Sequence, residues 1–469
     1  MATIGRAGGD QIPLRLSLGL GSGSMLQPLN SSMIAVAIIA IADQFGSIDG
    51  TAWVISGLYI ATAVVSPAAG RLGVLFGPRR MYLAGLAIIG VGSIVGALAP
   101  TIGWLIAARI LQGIGTASQY PTAMMIVRNV VDRTGGTARS ALAVLTICAQ
   151  SMVALGPTVG GLLTGIFGWQ SIMWVNLPMI AITAVWVLRV APPDDGPAAS
   201  EEHGWAKARE ILIKLDLPGT ALFLGGITTT MLFLLSVAHQ PQWALAPVIV
   251  VFGGLFWWRE CRASAPFIDV RTIMRNRPLT MTLGRSMVTY TAFYLVFFGL
   301  PQWLQVSRGL SASLAGALML PIAVVSIGST FIANKMYGER GPRRTLFVGT
   351  VGLVISGVMI VTLLNDQVSL GMMILIAAVL GIPNSFNNMG NQNIINAVTT
   401  RAEIGVGLGM YRTVQYIAAN IAAVIIELAW ADGINDDGLR RTGLVITGLG
   451  AALLVSVICS RSLRSQRVR

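Results

Sequence analysis

A chain of 469 residues that is 54% hydrophobic and only 11% charged excludes an ordinary water-soluble globule, in which roughly a quarter of residues carry charge. The net charge of +13 would suit nucleic acid, but the arginines fall in short loops between apolar runs, which is the positive-inside bias of a membrane protein. Cys148, Cys261 and Cys459 lack metal-ligand spacing, and His203 and His239 fall in predicted loops, so neither a metal site, nor a disulfide framework, nor a histidine relay within the membrane is expected.

The predicted elements, in chain order, are membrane helices at about 15–41, 52–73, 81–99, 103–127, 140–165 and 171–190, then a polar linker. Helices follow at about 217–237 and 243–258, a basic loop runs to 277, and six more lie at 279–304, 312–335, 345–364, 369–389, 403–428 and 442–460. Each approaches the roughly 20 apolar residues needed to cross a bilayer. The first contains Pro28 and Asn30 and has no clear small-residue cleavage site, so it reads as a retained helix and not a signal peptide. The expected fold class is therefore an all-α integral membrane protein with 14 transmembrane helices. Residues 1–190 form a six-helix bundle, 191–216 a cytoplasmic linker, 217–277 a two-helix insert with its basic loop, and 278–469 a second six-helix bundle.

Charge placement sets the orientation. With both termini cytoplasmic, Arg71, Arg79, Arg80, Arg128, Arg133, Arg139, Arg259, Arg271, Arg340, Arg343, Arg344 and Arg461 all fall inside. The outer segments hold Arg308, Arg440 and Arg441 beside Asp43, Asp49, Asp366, Asp432, Asp436 and Asp437. Trp53, Trp104, Trp169, Trp174, Trp243, Trp303 and Trp430 fall at predicted outer helix ends, the level an indole with an apolar body and a polar N–H prefers.

The phrase Gly77-Pro78-Arg79-Arg80 recurs as Gly341-Pro342-Arg343-Arg344, each copy between long apolar runs. A duplicated basic hairpin points to two related halves, the architecture of a secondary transporter whose site lies at the interface of its repeats. Lys207, Lys214 and Lys335 do not complete a phosphate-binding loop, and there is no nucleophile elbow or catalytic dyad. Neither an ATP-driven pump nor an enzyme is supported, and no cofactor is expected.

With these motifs in place, the chain resembles the major facilitator superfamily, specifically its fourteen-helix drug:proton antiporter branch, over nearly its whole length. Gly70-Arg71-Leu72 through Gly77-Pro78-Arg79-Arg80 matches the signature between helices 2 and 3. Arg109, Gln112, Gly113 and Gly115 match the helix 4 motif, whose Arg the resemblance implicates in proton coupling. Gly156-Pro157-Thr158-Val159-Gly160-Gly161 matches the helix 5 motif of antiporters, which implies a conformational role for Gly156, Pro157, Gly160 and Gly161. Trp169 with Trp174-Val175-Asn176-Leu177-Pro178 looks like the helix 5–6 junction, and Leu304-Gln305 with Arg308-Gly309-Leu310-Ser311 resembles the start of the C-terminal half. Two departures stand out: Asn30 occupies a position where the family usually carries Asp, and Val74 and Leu75 replace an Asp–Arg pair. Both weaken the case for proton coupling and for a cationic substrate.

The candidate site residues are polar groups inside apolar runs. Arg109 either shifts partners during proton exchange, or holds an anionic substrate group, or simply bonds helix carbonyls, since a charge in the membrane faces a cavity or a partner. Arg412, near Tyr411, Gln415 and Tyr416, lies deeper in its span than Arg285, which can snorkel. Glu427 is the acid of a late span and could load a proton or cap a helix end. Asn384, Asn387, Asn388 and Asn391, three or four residues apart, share a helix face. They form either a substrate wall or interhelical hydrogen bonds, and Gln27, Asn30, Gln112 and Tyr120 could face the same cavity. The Arg79/Arg80 and Arg343/Arg344 pairs gate the inner side or only set topology. Tyr290, Phe293 and Tyr294, with Met124, Met125 and Met319, either line an adaptable pocket or pack.

The charges within the spans are mostly positive, which favours neutral, zwitterionic or weakly anionic amphiphiles over lipophilic dications. The expected function is secondary active export of small amphipathic, drug-like compounds by alternating access, driven by proton antiport. The alternatives are a proton-independent uniporter or solute exchanger, and a non-transporting membrane sensor or scaffold. The expected setting is the bacterial inner membrane, with the bilayer, the substrate and protons as partners, no nucleic acid, and a monomer as the resemblance implies.

Overall fold

The computed structural model describes residues 12–46, 50–134, 139–194, 216–237, 241–263, 266, 268, 270–399, 404–460 and 463. Asp49, His203, His239 and most of the predicted linker lie outside the described residues.

Among the described residues the ordered elements are helices, with no strand. In chain order they are α1 (Leu14–Ser24), α2 (Leu26–Phe45), α3 (Thr51–Phe76), α4 (Pro78–Ala97), α5 (Ile102–Thr134), α6 (Arg139–Phe167), α7 (Ser171–Trp174) and α8 (Asn176–Val190). After the linker come α9 (Leu217–Val237), α10 (Leu245–Glu260), α11 (Val270–Arg275), α12 (Arg277–Val306), α13 (Ala312–Leu363), α14 (Leu370–Val398), α15 (Ile404–Ala429) and α16 (Asp436–Cys459). Among the described residues, eight helical segments are long and apolar enough to cross a membrane by themselves. α13 covers two predicted spans, which meet at Gly341, whose φ of 79° breaks the helix. Gly77 makes the equivalent break with φ of 96°, and Pro78 then starts α4. Each hairpin thus pairs a glycine that can take positive φ with a proline whose fixed φ suits a first turn.

Helix packing divides into two groups. α1–α8 pack with one another, and so do α12–α16. Between the groups, α3 lies along α15, α6 along α13 and α2 along α12, while α9 touches both α3 and α15. The seam is filled toward the end opposite the basic hairpins. There Met33, Ile38, Leu58, Tyr59, Phe298, Trp303, Leu318 and Ala423 form one continuous buried apolar cluster.

Three tryptophans depart from the expectation of a headgroup belt. Trp169, Trp303 and Trp430 are buried. Trp169 Nε1 donates to Gln44 Oε1 at 2.6 Å, and Trp303 Nε1 to Asp436 Oδ1 at 2.8 Å. With an internal acceptor available, Trp169 and Trp303 cap the core of the protein instead of facing lipid headgroups, whereas the buried Trp430 Nε1 has no acceptor among the described residues. Trp104 and Trp243 remain exposed.

Candidate functional site: a sealed polar network and a central cavity

Arg109 points into the N-terminal bundle and is fully buried. Its Nε donates to the Val54 carbonyl at 3.1 Å, and its Nη1 to Gln112 Oε1 at 2.9 Å and to the Asn30 carbonyl at 3.3 Å. Gln112 and Asn176 both donate to Ser93 Oγ at 3.0 Å. Asn30 and Asn176 exchange two amide hydrogen bonds, each 2.8 Å. The result is a closed chain Arg109–Gln112–Ser93–Asn176–Asn30 spanning α2, α4, α5 and α8. Arg109 forms no ion pair among the described residues, and its Nη2 has no partner. A buried guanidinium held only by carbonyl and amide oxygens keeps its charge uncompensated, an arrangement that stores a demand for an anion.

Asn30 and Gln112 therefore sit in this sealed network and not on a cavity wall. Asn176 and Ser93 belong to it although neither stood out in the sequence beyond the motif that contains Asn176. An Asn at the start of an apolar helix was the available signal.

A cavity opens between the two halves. The room it leaves for water-sized occupants is about 50 Å³, within about 740 Å³ of interatomic space that includes its open mouth. From the N-terminal half it is lined by Gln27, Pro28 and Ser31 on α2 and by Ala149 and Val153 on α6. From the C-terminal half come Tyr290, Phe293, Tyr294 and Phe297 on α12, Asn384, Asn388 and Gln392 on α14, and Tyr411, Arg412, Gln415 and Tyr416 on α15. Tyr290 and Tyr411 both donate to Asn388 Oδ1, at 3.0 and 2.5 Å. Phe293 stacks on Phe297, with centroids 5.2 Å apart, and Tyr294 stacks on Phe298 at 5.3 Å. Tyr59 from α3 enters this aromatic cluster against Tyr294 and Tyr416. Arg412 lies over the Tyr120 ring at 4.8 Å, so this contact crosses from one half to the other.

Of the candidates for substrate contact, the structure brings Gln27, Asn384, Asn388 and Tyr411 together around this cavity, with Tyr120 beside its Arg412. Asn391 is buried and does not line it. Ser31 and Gln392 line it without having been singled out, because single small or polar residues in an apolar run carry little signal.

The glycine motif of α6 lies where the halves meet. A side chain at Gly160 would come within 2.6 Å of Met33 Cα, and one at Gly161 would collide with the Ala312 carbonyl of α13. Thr158 Oγ1 donates to the Gly316 carbonyl at 2.9 Å, and Ser313 Oγ to the Gly161 carbonyl at 3.2 Å. Gly156 gives α6 its approach to Ser32 of α2, and α6 bends by 47° between its segments 147–153 and 155–167. Pro157 lacks the N–H that would continue the helix there. Gln305 Nε2 donates to the Val36 carbonyl at 2.9 Å, a further bond between the halves.

The two arginine pairs are placed within their own halves. Arg79 Nη2 donates to the Leu188 carbonyl at 2.6 Å, and Arg343 Nη2 to the Ile458 carbonyl at 3.0 Å. Each closes the end of the last helix of its bundle. The backbone N–H groups of Arg79 and Arg80 both donate to Asp194, at 2.9 Å, which caps α4. Arg80 and Arg344 are exposed, and Arg79 and Arg343 are part-buried. Glu427 lies apart from Arg109 and Arg412, on a second cavity at the opposite end lined also by Thr51, Gln302 and Trp430.

A model of the Major Facilitator Superfamily matches residues 20–423. The chain is 33% identical over 440 residues to the uncharacterized MFS-type transporter YwoD of Bacillus subtilis, covering 93% of this chain and 95% of that one. It is 30% identical over 354 residues to the multidrug resistance protein Stp of Mycobacterium tuberculosis, covering 73% of this chain and 62% of that protein. Among solved structures, the nucleoside transporter NupG superposes with a TM-score of 0.64 at 12% identity, over 97% of this chain and 100% of NupG.

Proposed function

Because the chain belongs to the major facilitator superfamily, and is thus a multi-pass membrane transporter and not an enzyme, we propose that it exports small amphipathic compounds from a bacterial cell by alternating access. The observation that carries this reading is the central cavity, walled by aromatic and amide side chains of both halves and backed toward the opposite end by the buried apolar seam. A cavity open at one end and plugged at the other is one station of a cycle. The other station would follow from the two bundles, 1–190 and 278–469, rocking about the contacts of α6 with α13.

In this reading all fourteen helical spans cross the inner membrane, both termini and the basic hairpins are cytoplasmic, and the cavity faces the cytoplasm. The protein works as a monomer. Multidrug resistance in the name of the mycobacterial relative supports the substrate class. The driving force assigned is proton antiport, with Glu427 as the carboxyl that loads and releases the proton and Arg109 as the charge that responds to it. Arg79, Arg80, Arg343 and Arg344 act in this scheme by fixing helix ends at the moving inner face.

A second reading, an exchanger or uniporter without proton coupling, is favoured by one observation: the Arg109 network contains no carboxylate among the described residues, and Asn30 pairs with another amide. Energised inside-out vesicles decide between them. Protein-dependent uptake of amphiphilic fluorophores that collapses with a protonophore is expected for the antiporter. Uptake that survives the protonophore would favour the exchanger. Absence of uptake for every compound would favour a sensor or scaffold.

A further inference from the structure

We propose that the cavity recognises an aromatic monoanion, with Arg412 as the residue that binds the anionic group and Tyr120 as the residue that positions it. The inference rests on the reading of the cavity as the transport site and adds the chemical class of its ligand.

Arg412 is only partly buried and lines the cavity. Its guanidinium makes no hydrogen bond and no ion pair with any described residue. Its Cζ lies over the Tyr120 ring at 4.8 Å, and Tyr290, Tyr411 and Tyr416 are its other electrostatic neighbours. A contact with a ring supplies no acceptor for the five N–H donors of the guanidinium, which form a fixed fork. A fork of this kind matches a carboxylate or sulfonate in bidentate fashion. No Asp or Glu lines the cavity, so no carboxylate of its described wall competes for the cation, and none would neutralise a cationic ligand.

The rest of the wall defines the body of the ligand. Tyr290, Phe293, Tyr294 and Phe297 present edges and faces from α12. These suit a flat ring system, since aromatic pairs prefer offset or edge-to-face contact. Asn384 lies on the same wall with a buried Oδ1 that has no partner. A hydroxyl or N–H on the ring system would satisfy this acceptor, though the anion and the ring are the required parts.

The test uses three compounds that share one ring system and differ in the charge of the tail: 1-pyrenebutyrate, 1-pyrenebutanol and 1-pyrenebutylamine. Equilibrium dialysis against the purified full-length protein in nanodiscs, with empty nanodiscs subtracted, measures binding without any transport step. Pyrenebutyrate is expected to bind about tenfold or more tightly than the alcohol, and the amine more weakly than either. R412Q should remove the advantage of the acid while leaving the alcohol unchanged, and R412K should restore part of it. Y120L should weaken the acid alone, and Y120F should restore it.

Equal binding of acid and alcohol by the unmodified protein would overturn the proposal, as would an equal loss of both in R412Q or no binding of any of the three. A binding result of this kind is separable from the transport reading. Vesicle uptake of neutral amphiphiles with no preference for the acid would leave an exporter standing and remove the anion site.

Discussion

In the N-terminal half, Gly113 of α5 lets the helix press on the Leu58 carbonyl of α3; in the C-terminal half, Gly381 of α14 does the same against Ile322 of α13. Gly85 meets Gln119 in one half, and Gly349 meets Asn387 in the other. Leu58 and Ile322 are 264 positions apart, as are Gly77 and Gly341, while Gly113 and Gly381 are 268 apart, as are the starts of α5 and α14. On this register Arg109, Gln112 and Ser93 correspond to Ala377, Leu380 and Gly357, whereas Tyr120 corresponds to Asn388. The shared backbone approaches are kept by small residues. The charged network exists in one half only, and the aromatic wall of the cavity comes mainly from the other. Close helix approach is thus shared by the two halves, while the polar chemistry differs between them.

The comparison breaks first if the glycines are not equivalent. G113V and G381V each place a branched side chain against a carbonyl oxygen that cannot move without its helix. Each is expected to cost at least about 3 kcal/mol and to reduce sharply the monodisperse fraction seen by fluorescence-detected size exclusion. Tolerance of one and not the other would mean that the halves do not share this contact. G161V should behave differently. Its clash is with the other half, at Ala312, so folded protein should be recovered while transport falls about tenfold or more.

Next in size is the amide pair of the N-terminal half. N30L leaves Asn176 with a broken partner in a dry site, at a cost of about 2 kcal/mol, whereas N30L/N176L removes both needs and should cost less than the sum of the singles. Thermal unfolding of the four proteins of this cycle gives the coupling. Additive effects would show that the two amides do not act as a unit. The C-terminal control, A377S, puts a hydroxyl at a buried position outside any such network, where it can bond a carbonyl of its own helix, and is expected to cost less than N30L.

Much of the helix pattern was legible because apolar runs of membrane length separated by short basic loops admit few alternatives, and the polar interruption after 190 marked the end of α8. The repeated hairpin was legible for the same reason that it forms: glycine and proline have few substitutes at such a turn. The cavity was legible in part. Gln27, Asn384, Asn388 and Tyr411 announced themselves as polar groups in apolar helices. Asn30 and Gln112 gave the same signal yet close on a network inside one bundle. The difference is a rotation of the helix about its own axis, which packing against distant helices decides and no local spacing records. The carbonyl partners of Arg79 and Arg343 were out of reach in the same way, since each lies more than a hundred residues away. Arg412 and Tyr120 were separate candidates, and only the closing of the two halves places one over the other.

The helix pair α9 and α10 lies between the two groups in the chain, and the smallest predicted effect lies there. Glu260 ends α10, two residues beyond the predicted span, and is buried. Its Oε2 accepts the Ile268 N–H at 2.7 Å, and neighbouring Arg259 holds Asp216 at 2.7 Å. Gly219 lets the Asp216 and Glu260 carboxyls converge, since a side chain there would collide with both. Burial first, and then the negative charge of Asp216, push the Glu260 carboxyl from its ordinary 4.5 up to about 7, against the opposing pull of the Ile268 N–H and of Arg259. The folded chain therefore holds this proton more tightly than the unfolded chain. Its stabilising contribution is complete below about pH 4.5, declines as the pH rises toward 7 and is flat above that. Thermal unfolding of the full-length protein in detergent across this range should show the decline, of no more than about 2 °C. E260Q should flatten it and be at least as stable as the unmodified chain at pH 8. Persistence of the slope in E260Q would move the titrating group elsewhere and leave the carboxyl pair a static anchor of the insert.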